Sequence, residues 1–469
     1  GSPLKTFQSG IYQPHAPCNC PAPAEPLYQT GTEERTMPES QTPVAVPLAR
    51  QPLGMLKSLA AARNNVLSII PYIATQQPVV SGTTGVRWHM LMDPDAIRRV
   101  LFEELENYPK SDVTKNLLRP AIGESLFIAE GAHWRWQRRA AAPVFSHRNV
   151  SALAPVMSAA AEASLARIEA ADKRASDIYA EMVRATFDIT ASVTLSGSAL
   201  FSSDEVHRAI DAYIAAAGKL SLFDILGLPM WVPRPSRVMA GASLKQMKTI
   251  ADDAVNSRRS AGAGDVPDLL DLLLEGEDPE TGRSMSTAEL RDNLLTFIVA
   301  GHETTALTLA WAFYLCAFDQ DVQDKARAEA QSALQGRTAT AADLPNLPYC
   351  RMIIDEALRL YPPAALVSRT AQAPDTLAGR EVKKGDTVMI PIYALHRNAL
   401  LWDDPDAFRP ERFAEKPQRY AYLPFGDGPR ICIGASFALQ EAVIILATLL
   451  AKRRFSPVQG KTPDPVMIL

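Results

Sequence analysis

The segment Phe425-Gly426-Asp427-Gly428-Pro429-Arg430-Ile431-Cys432-Ile433-Gly434 places one cysteine in a glycine-lined turn, just ahead of the mostly apolar run Phe437 to Leu450. That run reads as a helix. Cys432 therefore sits at or near a helix start, where unpaired N–H groups and the positive dipole end favour a thiolate. Glycines on both sides let a large flat ligand approach the backbone closely. A single thiolate outside any cysteine cluster suits an axial ligand to haem iron better than zinc or an iron–sulfur cluster.

Three further segments carry chemistry. Within the apolar stretch Leu294 to Phe318 the polar set is Gly301-His302-Glu303-Thr304-Thr305. Gly301 weakens a helix by about 1 kcal/mol relative to Ala. A Thr hydroxyl can bond back to the carbonyl one turn earlier, and a carboxylate buried here is costly unless paired or hydrated. The set marks either a functional groove or a kink with an exposed polar stripe. His302 faces away from such a groove and hydrogen-bonds within the core. Glu356-Ala357-Leu358-Arg359 puts acid and base on one helix face. Alone it is surface decoration. Phe408-Arg409-Pro410-Glu411-Arg412-Phe413 offers Arg412 as a third charge, and a buried set would lock the loop ahead of Cys432. In Gly131 to Arg139, Trp134 and Arg138 lie one helical turn apart. Both are donors only, suited to carboxylates such as haem propionates. The bland alternative is a basic surface helix.

These residues need a large scaffold, and the chain supplies one: 469 residues, 47% hydrophobic and 21% charged, with a formal net charge of −4. That balance gives no strong pull toward nucleic acid or an anionic membrane. The five cysteines, Cys18, Cys20, Cys316, Cys350 and Cys432, are sparse and odd in number, which argues for a reducing compartment. Cys18 and Cys20 read as free thiols on a tail. No apolar run reaches the length of a membrane span; Ala442 to Ala451 is bounded by Glu441 and Lys452. Residues 1–36 read as a tag or disordered tail, opening with Gly1-Ser2 and interrupted by six prolines, with Met37 as a native start.

The elements are mostly helical. Val79 to Gly82 and Val86 to Met92 read as short strands, and Asp93-Pro94-Asp95 caps a helix to about Phe102. Ser151 to Leu200 is Ala-rich with helical spacing. Ser221 to Pro235 is apolar and proline-broken: a substrate-gating loop, a membrane-touching surface or a buried interhelical loop. Ser286-Thr287-Ala288-Glu289 is a capping box that starts a core helix to about Phe318. A further helix, about Tyr349 to Leu360, stops at Pro362-Pro363. Gly379, Gly385 and Val388-Met389-Ile390 predict hairpins. There is no phosphate- or dinucleotide-type Gly-rich loop.

Taken in order, Trp134/Arg138, Ala300 to Thr305, Glu356/Arg359 with Arg412, and Phe425 to Gly434 resemble the cytochrome P-450 superfamily of haem-thiolate monooxygenases. The resemblance runs from about Val79 to the C-terminus. His396-Arg397-Asn398 and the text to Phe413 are most similar to the soluble bacterial fatty-acid hydroxylases and the microsomal branch. The implied fold is mainly α with small β-sheets. It is one large helical haem domain over residues 37–469, with haem between the core helix and the cysteine loop.

The resemblance implies roles residue by residue. Cys432 is the proximal iron ligand. Arg430, Trp134, Arg138 and Arg369 hold the propionates, and Phe425 packs near the thiolate. Glu303 and Thr304 are the acid–alcohol pair that delivers protons. Glu356, Arg359 and Arg412 are a structural triad. Phe297 and Ala300 on the core helix, with Ala364, Ala365, Leu366 and Val367, face the distal pocket. The pocket is apolar, so the expected substrate is a fatty acid, terpene or steroid. The expected cofactor is haem b, with dioxygen as co-substrate and electrons ultimately from NAD(P)H. Those electrons come through a separate ferredoxin and ferredoxin reductase or another separate reductase, and Arg135, Arg139 and Arg148 form either part of its basic docking face or a plain solvated face. The expected location is the bacterial cytoplasm. The family's final hairpin is expected beyond Leu469. A haem-thiolate peroxygenase or isomerase, and a haem-based sensor with His302 as sixth ligand, are the competing classes.

Overall fold

Capping chemistry fixes where the longest helix begins. Ser286 Oγ accepts the Glu289 N–H at 3.3 Å, and Glu289 Oε2 accepts the Ser286 N–H at 2.9 Å. From there the core helix Thr287–Phe318 runs unbroken, apolar nearly all round. Asp319 then caps Gln320–Leu334 through the Val322 N–H. Pro348 opens the helix Pro348–Leu360 at a position where its missing N–H is harmless.

The computed structural model describes residues 43–51, 53–171, 176–195, 235–264 and 267–467. The chain divides into two units, Gly1–Gln41 and Thr42–Leu469, and the described residues all fall in the second. The expected tail over 1–36, with Cys18 and Cys20, lies outside them. So does the apolar segment 221–234; Pro235 itself opens the helix Pro235–Ala261.

The described chain is mainly helical with two small sheets. β1 (Val79–Thr84) and β2 (Val86–Leu91) pair antiparallel about Gly85, whose φ of 79° suits glycine. β3 is Val367–Thr370, β4 Asp375–Leu377, β5 Arg380–Val382 and β6 Thr387–Ile390. The larger sheet has the order β1-β2-β6-β3, with β2 and β6 parallel. β4 and β5 form a hairpin turned by Ala378 and Gly379, both at positive φ. Asp93 caps its helix as expected. The regular helix ends at Arg98, and a wider π-type turn carries the chain to Glu103.

Three cores organise the described residues. Ala306 to Cys316 of the core helix packs with Ala154–Ala170, Pro348–Leu360 and the cysteine helix Ala435–Lys452. Leu290 to Ile298 belongs to a second core with residues 121–153 and 247–273. The larger sheet backs a third. The stretch Ala300 to Thr305 falls between the first two, so its polar side chains interrupt neither. By length and composition the cysteine helix is apolar enough to cross a membrane, unlike the shorter run read from sequence, yet 67% of it is buried in the fold. Its apolarity serves the core.

Candidate active site

The cysteine loop is a tight, glycine-dependent turn. Gly426 and Gly428 have φ of 70° and 74°. A Cβ on Gly428 would collide with the Leu101 carbonyl oxygen, so the loop is seated directly on the π-type turn. Phe425 O accepts the Cys432 N–H at 2.9 Å, closing the loop three residues before the cysteine helix begins. Cys432 is free and accessible. Desolvation by the atoms packed around the thiol pushes it up, although the side chain is accessible, and outweighs the opposing pull of the Gly434 N–H and the Arg138 guanidinium. The helix start alone therefore does not give a thiolate. A bound metal cation would supply the missing stabilisation.

Accessible side chains on otherwise buried elements define the rest of the site. On the core helix, Ala300 and Thr304 are exposed one turn apart while Ile298, His302, Thr305 and Ala306 are buried. Thr304 Oγ1 donates to the Ala300 carbonyl at 2.8 Å, the back-bond expected of it. Glu303 is half-buried and makes no hydrogen bond or ion pair among the described residues. His302 turns the other way: its Nδ1 meets the Ile298 carbonyl at 2.8 Å and its ring meets Phe187 edge-on. Phe297 is half-buried, edge-on to Phe145 at 5.2 Å. Phe145 in turn lies beside Gly434. Ala364 is exposed; Leu366 and Val367 are half-buried. Ala365 departs from expectation. It is buried in the sheet core and its carbonyl takes the Tyr393 N–H, so it does not face the accessible side.

A cluster of cations stands at one end of this surface. Arg369, on β3, is buried, and its Nε has no hydrogen-bond partner among the described residues. Lys110 bridges to it across an isolated strand contact. Burial, then the fields of Arg369 and Arg430, push the Lys110 ammonium well below its usual range. Burial and Arg430 likewise lower Arg369 to about 10. Arg430 lies over the Trp134 ring at 4.4 Å and pairs with Glu130. Cations held this close in low dielectric need anions. The two carboxylates of a haem would answer that need, and the orphaned Arg369 Nε is a donor available to one. Arg138 stands apart: its charge acts on Cys432. Sequence reading missed Lys110, which lies in no motif; only its strand contact with Arg369 reveals it.

The triad side chains meet. Arg359 Nε and Nη2 clasp both Glu356 oxygens at 2.6 and 2.8 Å, and Arg412 Nε reaches Glu356 Oε1 at 3.0 Å. Glu356 and Arg359 are fully buried. The remaining Arg359 donors bind the carbonyls of His396, Pro405 and Ala407. The charges are thus paired and saturated, as burial demands. On the expected docking face, Arg148 is exposed and Arg135 pairs with Glu106. Arg139 is held by the buried Asp278 and by Glu280, so it is a structural tie.

Comparison with known proteins identifies the fold and family. A family model described as cytochrome P450 matches residues 75–469. A cyclooctat-9-en-7-ol 5-monooxygenase of Streptomyces melanosporofaciens is 33% identical over 96% of this chain and 94% of its own. Cyclooctatin synthase of the same organism is 32% identical over 91% and 90%. A cytochrome P450DA haem domain of known structure superposes with a TM-score of 0.71 at 27% identity, over 80% of this chain and 83% of its own. With the cysteine loop, the accessible helix face and the anion-seeking cluster in one fold, the chain belongs to the cytochrome P450 family and is a haem-thiolate monooxygenase.

Proposed function

We propose that this enzyme hydroxylates a bulky apolar substrate of the terpene kind at a haem b held by Cys432. The carrying observation is the exposed Ala300–Thr304 face, small and apolar but for one hydroxyl, on an otherwise buried helix. Two Streptomyces relatives whose names refer to cyclooctat-9-en-7-ol and cyclooctatin support the terpene choice over fatty acid or steroid.

Cys432 would ligate the iron. Trp134, Arg138, Arg369 and Arg430, with Lys110, would hold the propionates. Phe425, whose carbonyl ties down the Cys432 N–H, would pack beside the thiolate. When bound, haem supplies dioxygen binding and reductive activation at a thiolate-ligated iron. The chain's own residues orient substrate and move protons. Ala300, Ala364, Leu366 and Val367 offer apolar surface that excludes water. Thr304 presents its hydroxyl oxygen as acceptor while its proton is tied to Ala300 O, so it can order a water. Glu303, without a competing partner among the described residues, would relay protons from solvent.

Electrons would come from NAD(P)H through a ferredoxin reductase and ferredoxin in a bacterial cytoplasm, with Arg135 and Arg148 on the docking face. The Glu303/Thr304 pair favours this over a peroxide-driven enzyme. The position of His302, buried against Phe187, speaks against a sensor with that residue as sixth ligand. The test has two parts. Reduced protein under carbon monoxide should give the red-displaced Soret band of a thiolate-ligated haem, and its absence defeats the proposal. A panel of terpenes, fatty acids and steroids should then show the low- to high-spin shift strongest for a terpene. A stronger fatty-acid or steroid response would reassign the substrate.

A further inference from the structure

Among the described residues, Glu130 is the acid whose field reaches Lys110, Arg369 and Arg430 alike. It occupies the N-cap position of the helix Gly131–Ala141 but makes no cap hydrogen bond. Its carboxylate turns to the cations. Oε1 accepts the Lys110 backbone N–H at 2.9 Å and Oε2 accepts from Arg430 Nη2. Arg430 is fixed on two other sides, by Nη1 donating to the Ala129 carbonyl at 2.9 Å and by the Trp134 ring. A pocket of about 530 Å³, lined by Glu106, Lys115, Glu130, Trp134 and Arg430 among others, opens this cluster to the surface. Arg430 also feels Glu106, but that acid is 71% exposed and paired with Arg135, so solvent screens it.

We propose that Glu130 is a tuning carboxylate that aims Arg430 and sets the reduction potential of the haem. This rests on the haem-thiolate reading above. Reduction of ferric to ferrous iron adds one electron and breaks no protein bond. Fixed cations nearby favour that electron and a fixed anion opposes it, more strongly the less water lies between. Three clustered cations alone would draw the potential upward. Glu130, 30% exposed and held on both oxygens, holds it down. It is a positioning residue for Arg430 and a charge source for the haem, with no contact to substrate.

The experiment is a spectroelectrochemical titration of the haem-loaded protein. Glu130→Gln keeps an acceptor for Arg430 but removes the charge. Glu130→Ser removes the charge while supplying a favourable N-cap, which guards the fold. Both should shift the midpoint to more positive potential with the thiolate Soret band intact. Glu130→Asp, which keeps the charge, should stay near wild type, and Glu106→Gln should move it less than either neutral variant. An unchanged or more negative potential in the neutral variants overturns the proposal. An equal shift in Glu106→Gln does the same. Failure of both neutral variants to hold haem makes Glu130 purely structural and also overturns it. A wild-type protein lacking the thiolate band would instead sink the underlying haem-thiolate reading, and this inference with it.

Discussion

The backbone N–H of Leu423 donates to His396 Nε2 at 2.9 Å. This bond joins the charge triad to the cysteine loop. His396 Nδ1 meets the Arg359 carbonyl at 3.2 Å, so the ring donates there and accepts from Leu423. Arg359 returns a hydrogen bond to the His396 carbonyl. Two residues after Leu423 comes Phe425, whose carbonyl fixes the Cys432 amide. The Glu356–Arg359–Arg412 set thus reaches the cysteine through one neutral imidazole.

That imidazole makes stability acid-sensitive. Burial and the adjacent Arg359 lower His396 to about 3, against about 6.5 when unfolded. Between those values the unfolded chain binds a proton that the native chain does not. Stability from this group is therefore whole above about pH 6.5 and falls as pH drops toward 3, by at most about 1.4 kcal/mol per pH unit. His396→Gln can still accept from Leu423 and does not titrate. Its urea midpoint should fall less steeply than wild type between pH 7 and pH 5 (both about one pH unit or more from the folded value). Parallel slopes would show that His396 is not the acid-labile group.

Breaking the triad should cost more than breaking a surface pair. Glu356→Ala leaves two guanidinium groups facing a buried void, a change worth about 3–5 kcal/mol. Arg359→Lys cannot replace a fork that spans Glu356 and three carbonyls. Both variants should show lowered melting temperatures and poor haem incorporation. Arg351→Ala, which removes a half-exposed partner of Asp355, should stay within about 1 kcal/mol of wild type. Comparable losses in all three would mean that burial of the triad is not what matters.

Thr304→Ala removes the one hydroxyl from the exposed face of the core helix. The back-bond to Ala300 is lost, but helix propensity rises, so the fold should hold. Electron consumption should continue while product falls several-fold and hydrogen peroxide appears. Coupled turnover at the wild-type ratio would place the proton path elsewhere, with Glu303→Gln as the next variant.

Much of this site lay open in the sequence because its chemistry is local. The cysteine loop is contiguous, the Glu356–Arg359 clasp spans one helical turn, and the Ser286 box announces the core helix. What was hidden depends on tertiary convergence. Lys110 and Glu130 come from a connecting segment and an uncapped helix start, and only the fold sets them against Arg369 and Arg430. Ala365 was misplaced because only the fold seats it in the sheet core, where its carbonyl takes the Tyr393 N–H. The Cys432 dipole argument stopped short because it weighed the helix start without the burial that outweighs it.

Glu441 supplies the opposite pH signature. It lies on the cysteine helix, fully buried, and its Oε1 has no hydrogen-bond partner among the described residues. Burial alone raises its carboxyl well above the usual range. The native chain therefore holds a proton that the unfolded chain loses above about pH 4.3. The group destabilises the fold progressively as pH climbs from there toward its folded value. Glu441→Gln keeps the neutral shape without the titration. It should match wild type near pH 4 and exceed it at pH 8, with the gap in melting temperature widening in between. A gap that stays constant or narrows with rising pH would show that Glu441 is ionised in the fold, and therefore paired.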